Sequence, residues 1–422
     1  MSAPPTTAPS PGTPGPGGPP PTVRSATPAQ LSWLEEQLRE WRADGLVDDR
    51  TLELIRARYV AHRRVTLSRI VLTLGAAFVG LGLIWLVAAN LDELSPLLRL
   101  VFVAALWLGF VVVAELLAAR RERVGDVASP VVGAVRLLAA AGSGAVLFQA
   151  AQSLQVPAYE PALVGLWGAG VLVYAYAVVG LGPAVVGILL VTFWLVQHVV
   201  EASEALLAVT LTVGAAAVAA VAVGVLHHRL PASLRGWRPL GDPWREVGAL
   251  VALGALFTAA LPYGDERGSG TLLTWVVLAV AVVLAGAAGA TGDRLDRAEV
   301  GLAALALGVT ALLSLWRTSA DVTGTADLAA GDWARAVVAV LLYLAVTSGY
   351  AVLGGQRDSG LLTWVATAAL VVFVTVQAFA VFAPVLSGAV LFLAVGVVLI
   401  GTGVAADRGR RRLLATAAEV RS

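Results

Sequence analysis

The sequence predicts an all-α membrane protein: a polytopic bundle of about twelve transmembrane helices with an N-terminal cytoplasmic helical hairpin. Three observations carry that prediction. Of 422 residues, 58% are hydrophobic and only 14% charged, with a mean hydropathy of +0.82, far from the roughly 25% charged residues of soluble domains. Apolar runs long enough to cross the hydrocarbon, about 20 residues each, recur from Ile70 onward. The 29 basic residues, every one an arginine, collect in alternate loops between those runs, as the positive-inside rule requires. The net charge of +1 gives no reason to expect nucleic acid, and the absence of cysteine removes disulfides, thiolate metal sites and cysteine nucleophiles.

Residues 1–27 are rich in Pro, Gly, Thr, Ser and Ala with one charge, Arg24. Such a segment buries too little apolar surface to offset chain entropy and reads as a disordered tail. Prolines interrupt it too often for the apolar run of a secretory signal. Residues 28–66 read as a cytoplasmic helical hairpin. Thr27, Pro28 and Gln30 mark a helix start, and Leu31, Leu34, Leu38 and Trp41 fall on one face of a helix from Pro28 to about Ala43. Gly45 stops that helix, Asp48 caps the next, and a second helix is expected over Asp49 to Arg64 with Leu52, Ile55 and Tyr59 turned inward. Seven acids balance seven arginines between Ala29 and Arg64, so the pair lacks the basic excess of a DNA-reading helix-turn-helix.

Six spans form a first membrane half within residues 67–226: Ile70–Ala89, Leu97–Leu117, Val131–Ala151, Ala162–Val179, Ala184–Val200 and Ala205–Leu226. After a cytoplasmic loop, 227–246, six more occupy 247–404: Val247–Leu261, Leu272–Ala290, Val300–Leu315, Ala336–Leu353, Leu361–Val381 and Val385–Val404. A basic cytoplasmic tail, 405–422, ends the chain. Placing the N-terminus inside puts 24 arginines in inner segments and four in outer ones, with Arg136 alone inside a span. The expected location is therefore the inner (plasma) membrane with both termini cytoplasmic.

Two sets of polar residues stand out. Arg136 lies five residues into its span, where it either snorkels to the interface or pairs with Glu115 at similar depth. Near the outer ends of spans three and five, Gln149 and Gln152 share one helix face, and Gln197, His198 and Glu201 lie within about one turn of each other. Ordinary headgroup contacts explain such residues; a shared outward-facing polar cavity is the functional alternative. No His-Glu-x-x-His, Walker or Gly-x-Ser-x-Gly motif is present, so no enzyme, cofactor or metal is expected. Small residues four apart, Ala139 with Ser143 and Ala140 with Gly144, suit close helix packing.

Three stretches carry a family resemblance: Leu38 to Tyr59 with Gly45-Leu46-Val47-Asp48; Leu83-Ile84-Trp85-Leu86-Val87-Ala88-Ala89-Asn90-Leu91-Asp92-Glu93-Leu94-Ser95; and Gln149-Ala150-Ala151-Gln152 through Trp194. Together they resemble a bacterial family of predicted membrane proteins, domain of unknown function 2157, over roughly residues 31 to 200. The resemblance implies a polytopic protein with a helical hairpin ahead of the spans, and no established activity. A looser likeness to the inner-loop motif of major facilitator transporters involves Gly289, Asp293, Arg294 and Arg297, with Asp296 at the second glycine position.

Two functions compete. One is a non-enzymatic membrane protein lodged in the lipid bilayer, whose hairpin docks a cytoplasmic protein partner through Leu31, Leu34, Leu38 and Trp41 or serves regulation. The other is a transporter or lipid-handling carrier that uses the outward-facing polar cavity.

Overall fold

The computed structural model describes residues 24–26, 28–61, 95–124, 129–155, 160–203, 205–261, 270–316 and 330–382, with isolated positions between 71 and 82 and between 393 and 408. The chain divides into two compact units, Met1–Thr66 and Leu67–Ser422. The spans expected at Ile70–Ala89 and Val385–Val404, and the basic tail, lie for the most part outside the described residues.

In the first unit, helix α1 (Pro28–Ala43) and helix α2 (Asp49–Ala57) are joined by a tight turn. Gly45 turns the chain at φ 72°, in the left-handed region that glycine enters without a Cβ clash, and the Leu46 amide returns to the Trp41 carbonyl at 2.9 Å. Asp48 caps α2 by accepting the Thr51 amide at 3.0 Å. Leu38 and Leu52 are buried. α2 ends at Ala57, short of the expected Arg64. The chain then turns extended at strand β2 (Tyr59–Ala61), which pairs in parallel with strand β1 (Arg24–Ala26). Tyr59 and Val60 are aromatic and β-branched, types at home in a strand.

The second unit is helical. Its elements are α3 (Pro96–Val124), α4 (Ser129–Ser153), α5 (Pro161–Val178), α6 (Leu181–Ala202), α7 (Leu206–His228), a 3-10 helix (Ala232–Leu240), α8 (Gly241–Ala260), α9 (Leu272–Thr291), α10 (Arg294–Leu315), α11 (Ala330–Gln356) and α12 (Gly360–Phe382). Among the described residues, nine helices are long and apolar enough to span a membrane. They correspond to the expected spans two to six and eight to eleven. α8, the expected span seven, is not among the nine; Asp242, Arg245 and Glu246 in its first turns lower its apolarity.

Consecutive helices pack as pairs, α3 with α4, α5 with α6, α7 with α8 and α11 with α12. α7 and α8 form the centre: α7 also meets α9, α10 and α6, and α8 meets α10, α11, α12 and α6. Burial follows this order, 56% of the most apolar stretch of α7 against 11% for α3. The outer helices instead expose large apolar side chains, among them Leu97, Phe102, Val112 and Leu116 of α3, a surface suited to lipid and untenable in water.

Small residues let the two central helices approach closely. A Cβ built on Gly248 of α8 would stand 3.0 Å from the Val221 amide nitrogen and 3.1 Å from the Ala217 carbonyl of α7. The aromatic core sits alongside, with Tyr343 of α11 stacked on Phe373 of α12 at 3.8 Å and Phe257 of α8 edge-on to both. In α4 the small-residue step is a notch for a side chain: the indole of Trp167 on α5 fills the space at Gly144 and donates to the Ala140 carbonyl at 3.0 Å.

Candidate functional site

The principal polar feature lies where the end of α7, the starts of α8 and α10 and the end of α11 meet. α10 begins with a capping box: the Asp296 amide donates to Asp293 Oδ1 at 2.8 Å and the Asp293 amide to Asp296 Oδ2 at 3.1 Å. That cap orients Asp296, and Glu299 follows three residues later on the same face.

Three arginines from three other places converge on them. Arg229, just past α7, donates to Asp296 Oδ2 at 2.6 Å. Arg357, just past α11, donates to Asp296 Oδ1 at 2.8 Å and stands 3.1 Å from Glu299 Oε2. Arg245 of α8 donates through Nε to Glu299 Oε2 at 2.9 Å and makes a second, shorter contact through Nη2. Glu299 is 1% exposed.

Removing such charges from water is costly, and the arrangement offsets that cost by matching each carboxylate to one or more guanidinium groups. Its plain chemical capacity is to bind four helix ends into one block. The carboxylates are engaged by arginine, so they do not present an open cation site. Three buried atoms of this region have no hydrogen-bond partner: Glu299 Oε1, Arg357 Nε and the Tyr350 hydroxyl.

A neutral network flanks the charges. Trp244 of α8 donates to the Tyr176 hydroxyl at 2.9 Å, and that hydroxyl meets His227 Nε2 at 2.8 Å. His227 Nδ1 lies 2.7 Å from the Val223 carbonyl, so Nδ1 carries the proton and Nε2 accepts from the tyrosine. Ser359 at the start of α12 donates to Glu246 of α8 at 3.2 Å.

At the opposite end, Arg335 of α11 is 4% exposed. It donates to the carbonyls of Ala259 at 2.8 Å, Leu261 at 3.3 Å and Leu313 at 3.2 Å, closing the C-terminal ends of α8 and α10.

Glu115 of α3 and Arg136 of α4 form a two-point ion pair, Nη2 to Oε2 at 2.7 Å and Nε to Oε1 at 3.0 Å. Arg136 also reaches the Val178 carbonyl at 3.1 Å, and Tyr174 of α5 donates to Glu115 at 3.2 Å, so the pair ties α3, α4 and α5 together. The five outer residues are spread out. Gln149 is buried in α4, Gln152 is exposed, Gln197 is half-buried, and His198 and Glu201 are exposed on α6. His198 lies against Trp194. No hydrogen bond or ion pair among the described residues links any two of the five.

Sequence reasoning counted Arg229, Arg245 and Arg357 as separate inner-loop charges and passed over Glu299. The available signal was the Asp293, Asp296, Glu299 spacing, three acids at steps of three at the mouth of an apolar helix.

No curated protein and no solved structure matches this chain. Residues 39–181, from the last turns of α1 to the start of α6, match the family described as Predicted membrane protein (DUF2157), and beyond them the chain continues with further described helices long and apolar enough to cross a membrane.

Proposed function

We propose that this protein is a non-enzymatic, multi-pass component of the inner membrane whose N-terminal helix pair docks a cytoplasmic protein partner. The supporting observation is the surface of that pair. Leu38 and Leu52 make its small core, while Trp33 is 58% exposed, Leu46 and Leu54 stay in solvent, and Leu31, Leu34 and Trp41 are only half-buried. A compact unit that has filled its own core and still displays a tryptophan and leucines has apolar area to offer. Arginine bias places the unit and both termini on the cytoplasmic side. The bundle then serves as a rigid anchor, its helix ends joined by the Arg229, Arg245, Arg357, Asp296 and Glu299 block.

A photo-crosslinking residue at position 33 of the full-length chain tests the reading. A discrete cytoplasmic protein should be captured, and L46S/L54S should abolish capture while membrane insertion persists. Capture unchanged by L46S/L54S, or capture of lipid alone, overturns it.

The carrier reading requires Gln149, Gln152, Gln197, His198 and Glu201 to face one water-filled space. Their dispersal over exposed and buried positions gives it less support.

A further inference from the structure

The segment between α7 and α8 is a nine-residue 3-10 helix, Ala232–Leu240, long for a form that seldom exceeds one turn. At three residues per turn, side chains eclipse at steps of three, so the sequence sorts into three stripes. Leu234, Trp237 and Leu240 form an apolar stripe; Ala232, Arg235 and Arg238 a basic one; Ser233, Gly236 and Pro239 a small one.

The apolar stripe is anchored at one end and open at the other. Leu240 is fully buried in the bundle, whereas Leu234 and Trp237 are each 37% exposed. Trp237 is held edge-on against Tyr176, which fixes its ring without covering it.

The basic stripe holds no acid of its own, and the first acid beyond it, Asp242, lies 3.5 Å from His228. No acid occurs from Arg229 to Gly241, and Arg229 is committed to Asp296. Arg235 is exposed, with no hydrogen bond or ion pair among the described residues. Arg238 donates through Nη2 to the Leu230 carbonyl at 2.6 Å while its Nε has no partner. Arg235 and Arg238 are one turn apart, roughly 6 Å along the axis, a rise that two arginine side chains can bridge to reach one phosphate.

We infer that this 3-10 helix is an interfacial lipid site, which seats Leu234 and Trp237 among the acyl chains of one leaflet and binds the phosphate of an anionic phospholipid with Arg235 and Arg238. The element joins two helices of a membrane bundle, so it lies at the bundle's end, where tryptophan and arginine favour the headgroup layer. Charge complementarity selects an anionic headgroup over a zwitterionic one. The inference is independent of the docking proposed for the N-terminal unit.

The test uses full-length protein in phosphatidylcholine nanodiscs carrying a trace of spin-labelled phosphatidylglycerol. The immobilised fraction should show at least about tenfold selectivity over spin-labelled phosphatidylcholine. That selectivity should fall in 0.5 M salt. R235Q/R238Q should reduce it to near unity, R235K/R238K should retain it, and R121Q/R123Q, which removes the same charge elsewhere, should leave it in place. Selectivity that is absent, insensitive to salt, or lost equally in R121Q/R123Q overturns the site; the salt arm decides on the native chain should R235Q/R238Q not fold.

Discussion

Glu299 Oε2 on α10 accepts Arg245 Nε of α8 at 2.9 Å while the Glu299 side chain is 1% exposed. A carboxylate so placed is tolerable only while its guanidinium partners remain. Glu299→Ala therefore leaves Arg245 without its principal partner in a buried setting and should cost about 3–5 kcal/mol. Replacing both members, R245M/E299L, removes the charges together and should recover most of that loss. Unfolding in mixed micelles reads the difference; a double variant as unstable as the sum of the singles contradicts the argument.

Gly248 and Gly254 lie on the same helix and offer a matched comparison. Gly248→Ala drives a methyl to within 3.0 Å of the Val221 amide, a backbone atom that cannot rotate away, and should destabilise by about 1–3 kcal/mol. Gly254 has nothing within 4 Å of its added Cβ, so Gly254→Ala should be neutral or stabilise by up to about 1 kcal/mol through helix propensity. Thermal melts of the two variants should move in opposite directions or differ by that sum.

Arg335→Met should expose the role of the buried arginine. Its removal strands the carbonyls of Ala259, Leu261 and Leu313, at about 1.5–3 kcal/mol for hydrogen bonds to a charged donor. Hydrogen exchange should quicken at the C-terminal turns of α8 and α10 and stay unchanged at their N-terminal turns. Uniform acceleration along both helices would point to global loosening instead.

Asp48 sets a pH window for the first turn of α2. Hydrogen bonds from the Thr51 side chain and amide hold its carboxyl below the ordinary 3.8. A depressed folded value means that the cap's contribution is fully present above the unfolded value and disappears as pH falls through the folded one. Amide protection around Thr51 and Leu52, corrected for intrinsic rates, should thus hold at neutral pH and drop below about pH 3.8. D48N, which keeps an acceptor and has no charge to titrate, should show no such drop.

Among the described residues, nine of the expected spans reappear as long apolar helices because the signal is one of composition, and lipid selects for it directly. α2 ended early because Tyr59–Ala61 found a strand partner some 35 residues back, at Arg24–Ala26, which no local period encodes. α8 reads from sequence as a short span beginning at Val247. Its first turns, with Arg245 and Glu246, belong to the helix because the charges have partners in Glu299 and Ser359.

The outer polar residues show the reverse. Gln149 and Gln152 sit on one helix and His198 and Glu201 on another, and spacing along a helix says nothing of which neighbour a face meets.

What the sequence determined by itself was the solvent: apolar runs fix helices in lipid, since a backbone with no water to bond must bond to itself, and arginine bias fixes which loops stay together. Only the tertiary structure decided which charges are buried. Arg229, Arg245 and Arg357 are scattered over 128 positions of chain, and it is the packing of α7, α8, α10 and α11 that gathers these three arginines with Asp296 and Glu299 into one ion-paired block, because a buried ion's cost depends on what lies within a few ångströms in space.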